Sequence, residues 1–377
     1  MKNVFIVADN IVSPLGVTTH ENFANLKNGL SGVKQHSIPA FLEETFYASL
    51  LAKQQELVAG EISHYTKFEQ LLIASISDAL QNSGINISDA RTVIIISSTK
   101  GNIGLVEDNE LTPSLKQRMA MHTSAKIIAE HFHCANTPIV VSNACISGLV
   151  ALLVGKRLIQ SGQYDNAVVA GADVISKFVL SGFQSFQAIS PGACKPFDAE
   201  RNGINLGEGA ATMVLSSNKE FSQGITIAGG SVSNDANHIS GPSRTGAELS
   251  QAISKAMEEA ALTADDIDLI SAHGTATVYN DEMEALAISL ANLDHVPLNS
   301  LKGYYGHTLG AAGIIESIVS IHSLKEDLIL PSLGFSRLGV SKPLNISNTL
   351  RHRALKNCLK TASGFGGCNA AVVFSEA

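Results

Sequence analysis

The 377-residue chain has no long tract of proline, glycine and serine and no block of like charge, while 45% of it is hydrophobic and 16% charged. That composition excludes disordered and fibrous classes and leaves a globular protein. It has no CxxC pair. Its five cysteines, an odd number, speak against both a disulfide framework and structural zinc. A reducing, cytoplasmic setting is therefore expected. Clustered lysine and arginine are also missing, and with a net charge of -8 general nucleic-acid binding is not expected. No apolar window approaches the ~18 residues of a membrane span. The opening MKNVFIVADNIVSPLG has one lysine and an apolar run broken by Asp9 and Asn10, so it reads as a first strand and not as a signal peptide. His131-Phe132-His133-Cys134 has metal-ligand types but lacks a second ligand pair, and no metal site is expected.

What is present centres on Thr137–Gly162, TPIVVSNACISGLVALLVGKRLIQSG. Pro138–Val141 reads as a buried strand and Ile146–Ser161 as a helix, with Cys145 in the turn between them. Small neighbours, Ser142, Ala144, Ser147 and Gly148, suit a tight reversal. At the helix N-terminus, free N–H groups and the positive end of the dipole favour a thiolate.

Tyr65–Ser83 has the period of an amphipathic helix, and Thr92–Ser97 is an apolar run of strand length. The same order returns from Ala247: an amphipathic helix, an acidic link, then IDLISAHGT as strand and turn. INISDARTVIIISST and LTADDIDLISAHGT align as corresponding parts of a duplicated half. A second echo agrees. Gly148 follows Cys145 by three residues as Gly310 follows His307, each after a short stretch ending in Ser or Asn and before an Ala/Gly-rich helix. Alternating helix and buried-strand signals predict an α/β fold with both sheet faces covered. The polar turn cluster in Ser216–Gly224 places the join so that the halves are 1–222 and 223–377.

Three further stretches set polar side chains among small residues: SAHGTATVYND with His273, Thr275, Thr277 and Asp281; NSLKGYYGHTLGAAGIIES with Lys302, His307 and Glu316; and ASGFGGCNAAVVF with Phe365. Together with VSPLG, ACISG and KPFDAERNGINLGEGAA, in this order along nearly the whole chain, they resemble the motifs of β-ketoacyl-acyl carrier protein synthases. These are the elongating condensing enzymes of fatty acid and polyketide synthesis. The resemblance implies a thiolase-like, duplicated five-layer αβαβα sandwich that works as a homodimer or as a heterodimer of two related subunits.

It also implies roles. Cys145 matches the nucleophile that takes an acyl chain from the phosphopantetheine thiol of acyl carrier protein. His273 and His307 match the pair that faces the malonyl thioester and stabilises the enolate as CO2 leaves. The amides of Cys145 and Phe365 match the oxyanion hole, with Phe365 also the gate. Lys302 and Glu316 match the lysine and carboxylate that fix the histidine network, and Thr275 and Thr277 the threonines that bind the pantetheine arm. No resident cofactor is implied, since phosphopantetheine arrives on the carrier. Carriers are acidic, so a basic docking patch is expected at the tunnel mouth: Lys195 and Arg201 by the resemblance, with Lys67 added as a looser choice.

The sequence departs from the family pattern in places. It is short between Gly32 and Tyr65 and around Gly101–Ser124, and Cys368 stands where GFGGTN has threonine. A second cysteine there invites a thiolase reading, against which the paired histidine motifs fit decarboxylative condensation. Chain-length-factor subunits share the fold but lack the nucleophile. With Cys145 present this chain is expected to be the active member, with or without such a partner. The short form and the KGYYGH variation resemble synthases of aryl polyene or flexirubin pigment pathways.

Overall fold

The computed structural model describes residues 2–52, 64–236 and 241–377. Ten strands form one sheet. Five come from the first part of the chain: Phe5–Val12 (β1), Thr92–Ser97 (β2), Ile139–Val141 (β3), Asn166–Asp173 (β4) and Gly209–Ser216 (β5). Five come from the second: Ile225–Asn234 (β6), Leu269–Ala272 (β7), Leu298–Ser300 (β8), Asn357–Gly364 (β9) and Cys368–Glu376 (β10).

The order across the sheet is β8-β7-β9-β10-β6-β1-β5-β4-β2-β3. Read outward from the middle, the two halves are the same arrangement. In the first, β2 is parallel to β3 and β4, and β5 is antiparallel to β4 and β1. In the second, β7 is parallel to β8 and β9, and β10 is antiparallel to β9 and β6. The halves meet through one β1–β6 pair, Phe5 with Thr226. The duplication predicted from the two helix–link–strand segments is therefore present, with β2 and β7 as equivalent strands. The segment 217–224 joins the two.

Strand periodicity sets the layers. Val93 and Ile95 of β2 point into a central core, whereas Ile94 and Ile96 point to the opposite face and pack with Leu71, Leu72 and Ile76 of the helix Lys67–Gln81. In β10, Ala370, Val372 and Phe374 face the central core while Ala371 and Val373 meet Leu249 and Ile253 of the helix Ala247–Ala260. Between the two sheet faces lie the cysteine helix, Ser147–Gln160, and its counterpart Ala312–Lys325. The two five-stranded halves of the sheet, joined only by the β1–β6 pair, act as separate layers, so helix, half-sheet, paired helices, half-sheet, helix gives the five layers expected. Continuous apolar strands result because both faces are covered.

One expectation fails. The run at Pro138–Val141 is the edge strand β3, with Ile139 and Val140 only half-buried. Apolar composition does not distinguish a central strand from an edge that is left for another surface. No helix among the described residues is long and apolar enough to cross a membrane.

The two central helices touch through glycine. A Cβ on Gly148 would lie 2.9 Å from Ile314 N and 3.0 Å from Gly310 O, and one on Gly313 would lie 2.7 Å from Leu149 N. Backbone meets backbone, which brings the start of one helix, after Cys145, against the start of the other, after His307. Asp173, at the end of β4, ties the same corner together by accepting hydrogen bonds from Ser98 Oγ at 2.7 Å, Thr99 N at 3.0 Å and Gly310 N at 2.6 Å.

Candidate active site

Ala144 takes a left-handed φ of 43°, reversing the chain between β3 and the cysteine helix. Ser147 Oγ closes the turn, donating to Ala144 O and accepting from Asn143 N at 2.8 Å. Cys145 stands there with 7% exposure. The thiolate expected from helix position alone is overridden in the resting site: burial, then the neighbouring Cys368, pushes the Cys145 thiol up to about 12, with Lys302 and the Phe365 amide pulling the other way. The dipole acts on a charge, but a buried charge must first leave water, and here that cost is larger.

His273 follows the end of β7. Its N–H and that of Gly274 donate to the two oxygens of Glu284 at 2.8 Å each. His307 is pinned by its backbone: His307 N donates to Asn205 O at 2.7 Å and Gly207 N to His307 O at 3.0 Å, so the INLGEG segment acts as a short parallel rail. A Cβ on Gly207 would sit 2.0 Å from Tyr305 O, which explains glycine at that position.

The side chains converge. Cys145, His273 and His307 present sulfur and ring nitrogens that all lie within 4.8 Å of one another. The imidazole centroids are 5.1 Å apart with planes at 84°. Both rings are buried, and His273 Nδ1 and both nitrogens of His307 lack a protein partner. A thiol and two imidazoles so placed have donor types that also suit a soft divalent cation. Burial lowers both imidazoles well below the ordinary 6.5, with the charges of Lys302 and Lys360 adding to it. They are neutral at physiological pH. Each can donate one N–H into the space between them without carrying charge.

Lys302 is fully buried, donates from Nζ to His273 O at 3.0 Å and is ion-paired with Glu316. Burial tends to raise Glu316, but the two ammonium groups of Lys302 and Lys360 outweigh it and keep the carboxylate below its usual range. Lys360 and Glu284 escaped the sequence reading. A signal existed for each: a lysine inside the apolar strand run CLKTA, and an acid on the inner face of the helix Val278–Leu290.

A cavity of about 450 Å3 opens above the three residues and includes Thr275, Thr277, Tyr279 and Phe365 in its wall. The hydroxyls of Thr275 and Thr277 are 2.9 Å apart. Phe365 is 38% exposed and lies between Phe183 and Phe186, with centroids 5.7 and 5.1 Å away. Gly364 brings it close, since a Cβ there would lie 3.0 Å from Cys145 N. Cys368 does not line the cavity, and its thiol is directed to Phe365 O at 3.4 Å.

The three cations expected to dock a carrier already have partners. Lys67 is exposed but paired with Glu208, and Lys195 is 2.6 Å from Glu200. Arg201 is inside its loop, its side chain 6% exposed and donating to the carbonyls of Asp198, Gly339 and Val278. His131, one of the four in the HFHC segment, has Nδ1 3.0 Å from Tyr65 Oη.

Family models for the beta-ketoacyl synthase N-terminal domain and C-terminal domain match residues 1–220 and 225–336. The chain belongs to the β-ketoacyl synthase family. It is a condensing enzyme. A putative polyketide beta-ketoacyl synthase 1 of Streptomyces halstedii is 32% identical over 297 residues, 74% of this chain and 70% of that protein. A 3-oxoacyl-[acyl-carrier-protein] synthase 2 of Vibrio cholerae is 27% identical over 414 residues, 100% and 99%. A ketosynthase solved in complex with its chain length factor, from Xenorhabdus doucetiae, superposes with a TM-score of 0.88 at 25% identity, covering 100% and 98%. This β-ketoacyl synthase therefore has the thiolase-like fold expected of it.

Proposed function

We propose that this synthase lengthens an acyl chain held on Cys145 by decarboxylating a malonyl thioester at His273 and His307, both substrates arriving on the phosphopantetheine arm of an acyl carrier protein. The observation that carries the reading is the convergence of the three side chains from the two halves at the floor of one cavity.

The first step exchanges thioesters. Cys145 Sγ attacks the acyl carbonyl, the carrier thiol leaves, and the thiol proton of Cys145 ends on the departing sulfur. A neutral imidazole at this range can relay it, which the high resting value of the thiol requires. The tetrahedral oxygen is stabilised by the N–H groups of Cys145 and Phe365. Gly364 allows that close approach.

The malonyl group then occupies the space between the imidazoles. CO2 departs, and the electrons of the broken bond form an enolate whose oxygen accepts hydrogen bonds from His273 and His307. Neutral donors suit this task because the negative charge exists only along the reaction path. The enolate carbon attacks the acyl-Cys145 carbonyl, the C–S bond breaks, the freed sulfur takes a proton from solvent through a neighbouring imidazole, and β-ketoacyl carrier protein leaves. Lys302 and Glu316 hold the His273 strand exit, Thr275 and Thr277 take the polar arm, and Phe365 gates the acyl space. The halves, divided at 222/223, each supply part of the centre.

Lys195 and Lys67 are the outward-facing cations among the three assigned to docking. Carrier binding at the rim is led by exposed charge and mostly sets encounter rate. The active assembly is a dimer, of two copies or with a related subunit as in the Xenorhabdus complex. A cytoplasmic site fits carrier-linked substrates.

Intact-mass analysis with acyl carrier protein tests the reading. Cys145→Ala should abolish the acyl adduct, and an adduct that survives would refute the nucleophile. Cys145→Gln, an amide standing in for the acyl thioester, should keep or raise CO2 release from malonyl carrier. Loss of that release would count against the two imidazoles.

A further inference from the structure

Lys360 is a buried cation to which the steps above give no role. It lies in β9, in the otherwise uncharged run Cys358–Ala362, and its side chain is fully enclosed. An enclosed ammonium without partners costs several kcal/mol, so its partners indicate what holds it there. Nζ donates to the carbonyls of Ser271 at 3.0 Å, Ala272 at 3.2 Å and Thr361 at 2.8 Å, and stands 2.7 Å from Glu316 Oε2.

Ser271 and Ala272 are the two residues before His273. Lys302 takes the next carbonyl, that of His273, and pairs with the other oxygen of the same Glu316. Two ammonium groups hung on one carboxylate thus grip three consecutive carbonyls at the strand exit that carries His273. Thr361, next to Lys360, donates to Glu284 Oε1 at 2.6 Å, and Glu284 in turn holds the N–H groups of His273 and Gly274. The charges of this wall balance, with Lys302 and Lys360 against Glu316 and Glu284. Without Lys360 it would carry one net negative charge.

We propose that Lys360 is a positioning residue for the condensation, fixing the backbone that delivers His273 and supplying the second positive charge behind both imidazoles. The inference rests on the two-imidazole reading above. The charged and titratable groups around the rings are Lys302, Lys360, Glu316 and Glu284, with the Cys145 thiol in front, Tyr305 on the side of Glu316 and Asp173 beyond Gly310. Removing one cation from such a set raises the proton affinity of a neighbouring imidazole, and a protonated pair no longer serves as two neutral donors.

The experiment is the pH profile of CO2 release from malonyl carrier protein by the full-length enzyme. Lys360→Met should move the acidic limb upward by about one unit, a loss of about tenfold on that limb, and should also lower the rate on the plateau near pH 8 by about threefold to tenfold, because the strand exit that delivers His273 loses its grip. Acylation of Cys145, followed by intact mass, should change little at neutral pH. A profile coincident with wild type, whatever the melting temperature, would overturn the proposal and leave Lys360 a packing element. Should the single variant not fold because Glu316 loses a partner, Glu316→Gln is compared with Glu316→Gln/Lys360→Met, where the second change removes an excess buried cation. The limb should again move up between those two. If wild type itself releases no CO2 that depends on His273 and His307, the catalytic reading fails, and that result is distinct from an unmoved limb.

Discussion

At the scale of single residues, position in the chain picked out Cys145, His273 and His307 as candidates, and burial sets their protonation. His273, His307 and Cys145 were legible because each stands at an exit among small residues. The state of the thiol was not, since a sequence shows the helix start but not how much water remains over the sulfur. Lys360 and Glu284 were missed for a related reason: a charged side chain inside an apolar run reads as an interruption until a partner from another strand or helix is seen beside it. Cys368 raises a separate question, because a second thiol near the nucleophile is what a thiolase uses. Here it is off the cavity and directed at Phe365 O and, at 3.9 Å, Asn143 O. A hydroxyl can make the same donation. Cys368→Thr should therefore retain condensation within about threefold by product mass, and a variant that still forms the acyl adduct but makes no product would restore an acid–base role for this thiol.

At the scale of elements, the helices and strands of the repeated segments followed from period. Lys67–Gln81 and Ala247–Ala260 are amphipathic because one side covers a sheet, and Thr92–Ser97 is uniformly apolar because both of its faces are covered. β3 differed because an edge strand and a central strand have the same composition. What the elements do jointly depends on Gly148, where the two central helices meet backbone to backbone. Adding one methyl group must move Ile314 N or Gly310 O, neither of which is the free end of a flexible side chain. Gly148→Ala should cost about 1–3 kcal/mol in denaturant unfolding. It should also lower condensation more than acylation, because the shift separates the Cys145 and His307 helix starts while leaving the thiol turn intact. Equal losses in both steps would place the strain in that turn instead.

At the scale of the whole molecule, a duplicated fold could behave as two units or as one. The strand orders mirror each other across β1 and β6, yet those two strands share a single pair. Backbone pairing alone would therefore join the halves weakly. The central core decides otherwise: Ile95, Leu149, Leu152 and Val169 of the first half pack in one cluster with Ile314, Ile318, Val372 and Phe374 of the second. Separating the halves would expose that whole layer to water, at about 25 cal/mol for each Å2 of apolar surface. Asp173 adds to the joint, because its carboxylate spans Ser98 and Thr99 on one side and Gly310 on the other. Calorimetric unfolding at a fixed protein concentration should accordingly give one transition, coincident with loss of far-UV circular dichroism. Two resolved transitions, one of them removed by a mutation confined to β7–β10, would mean that the halves fold separately and that the site forms only when they dock.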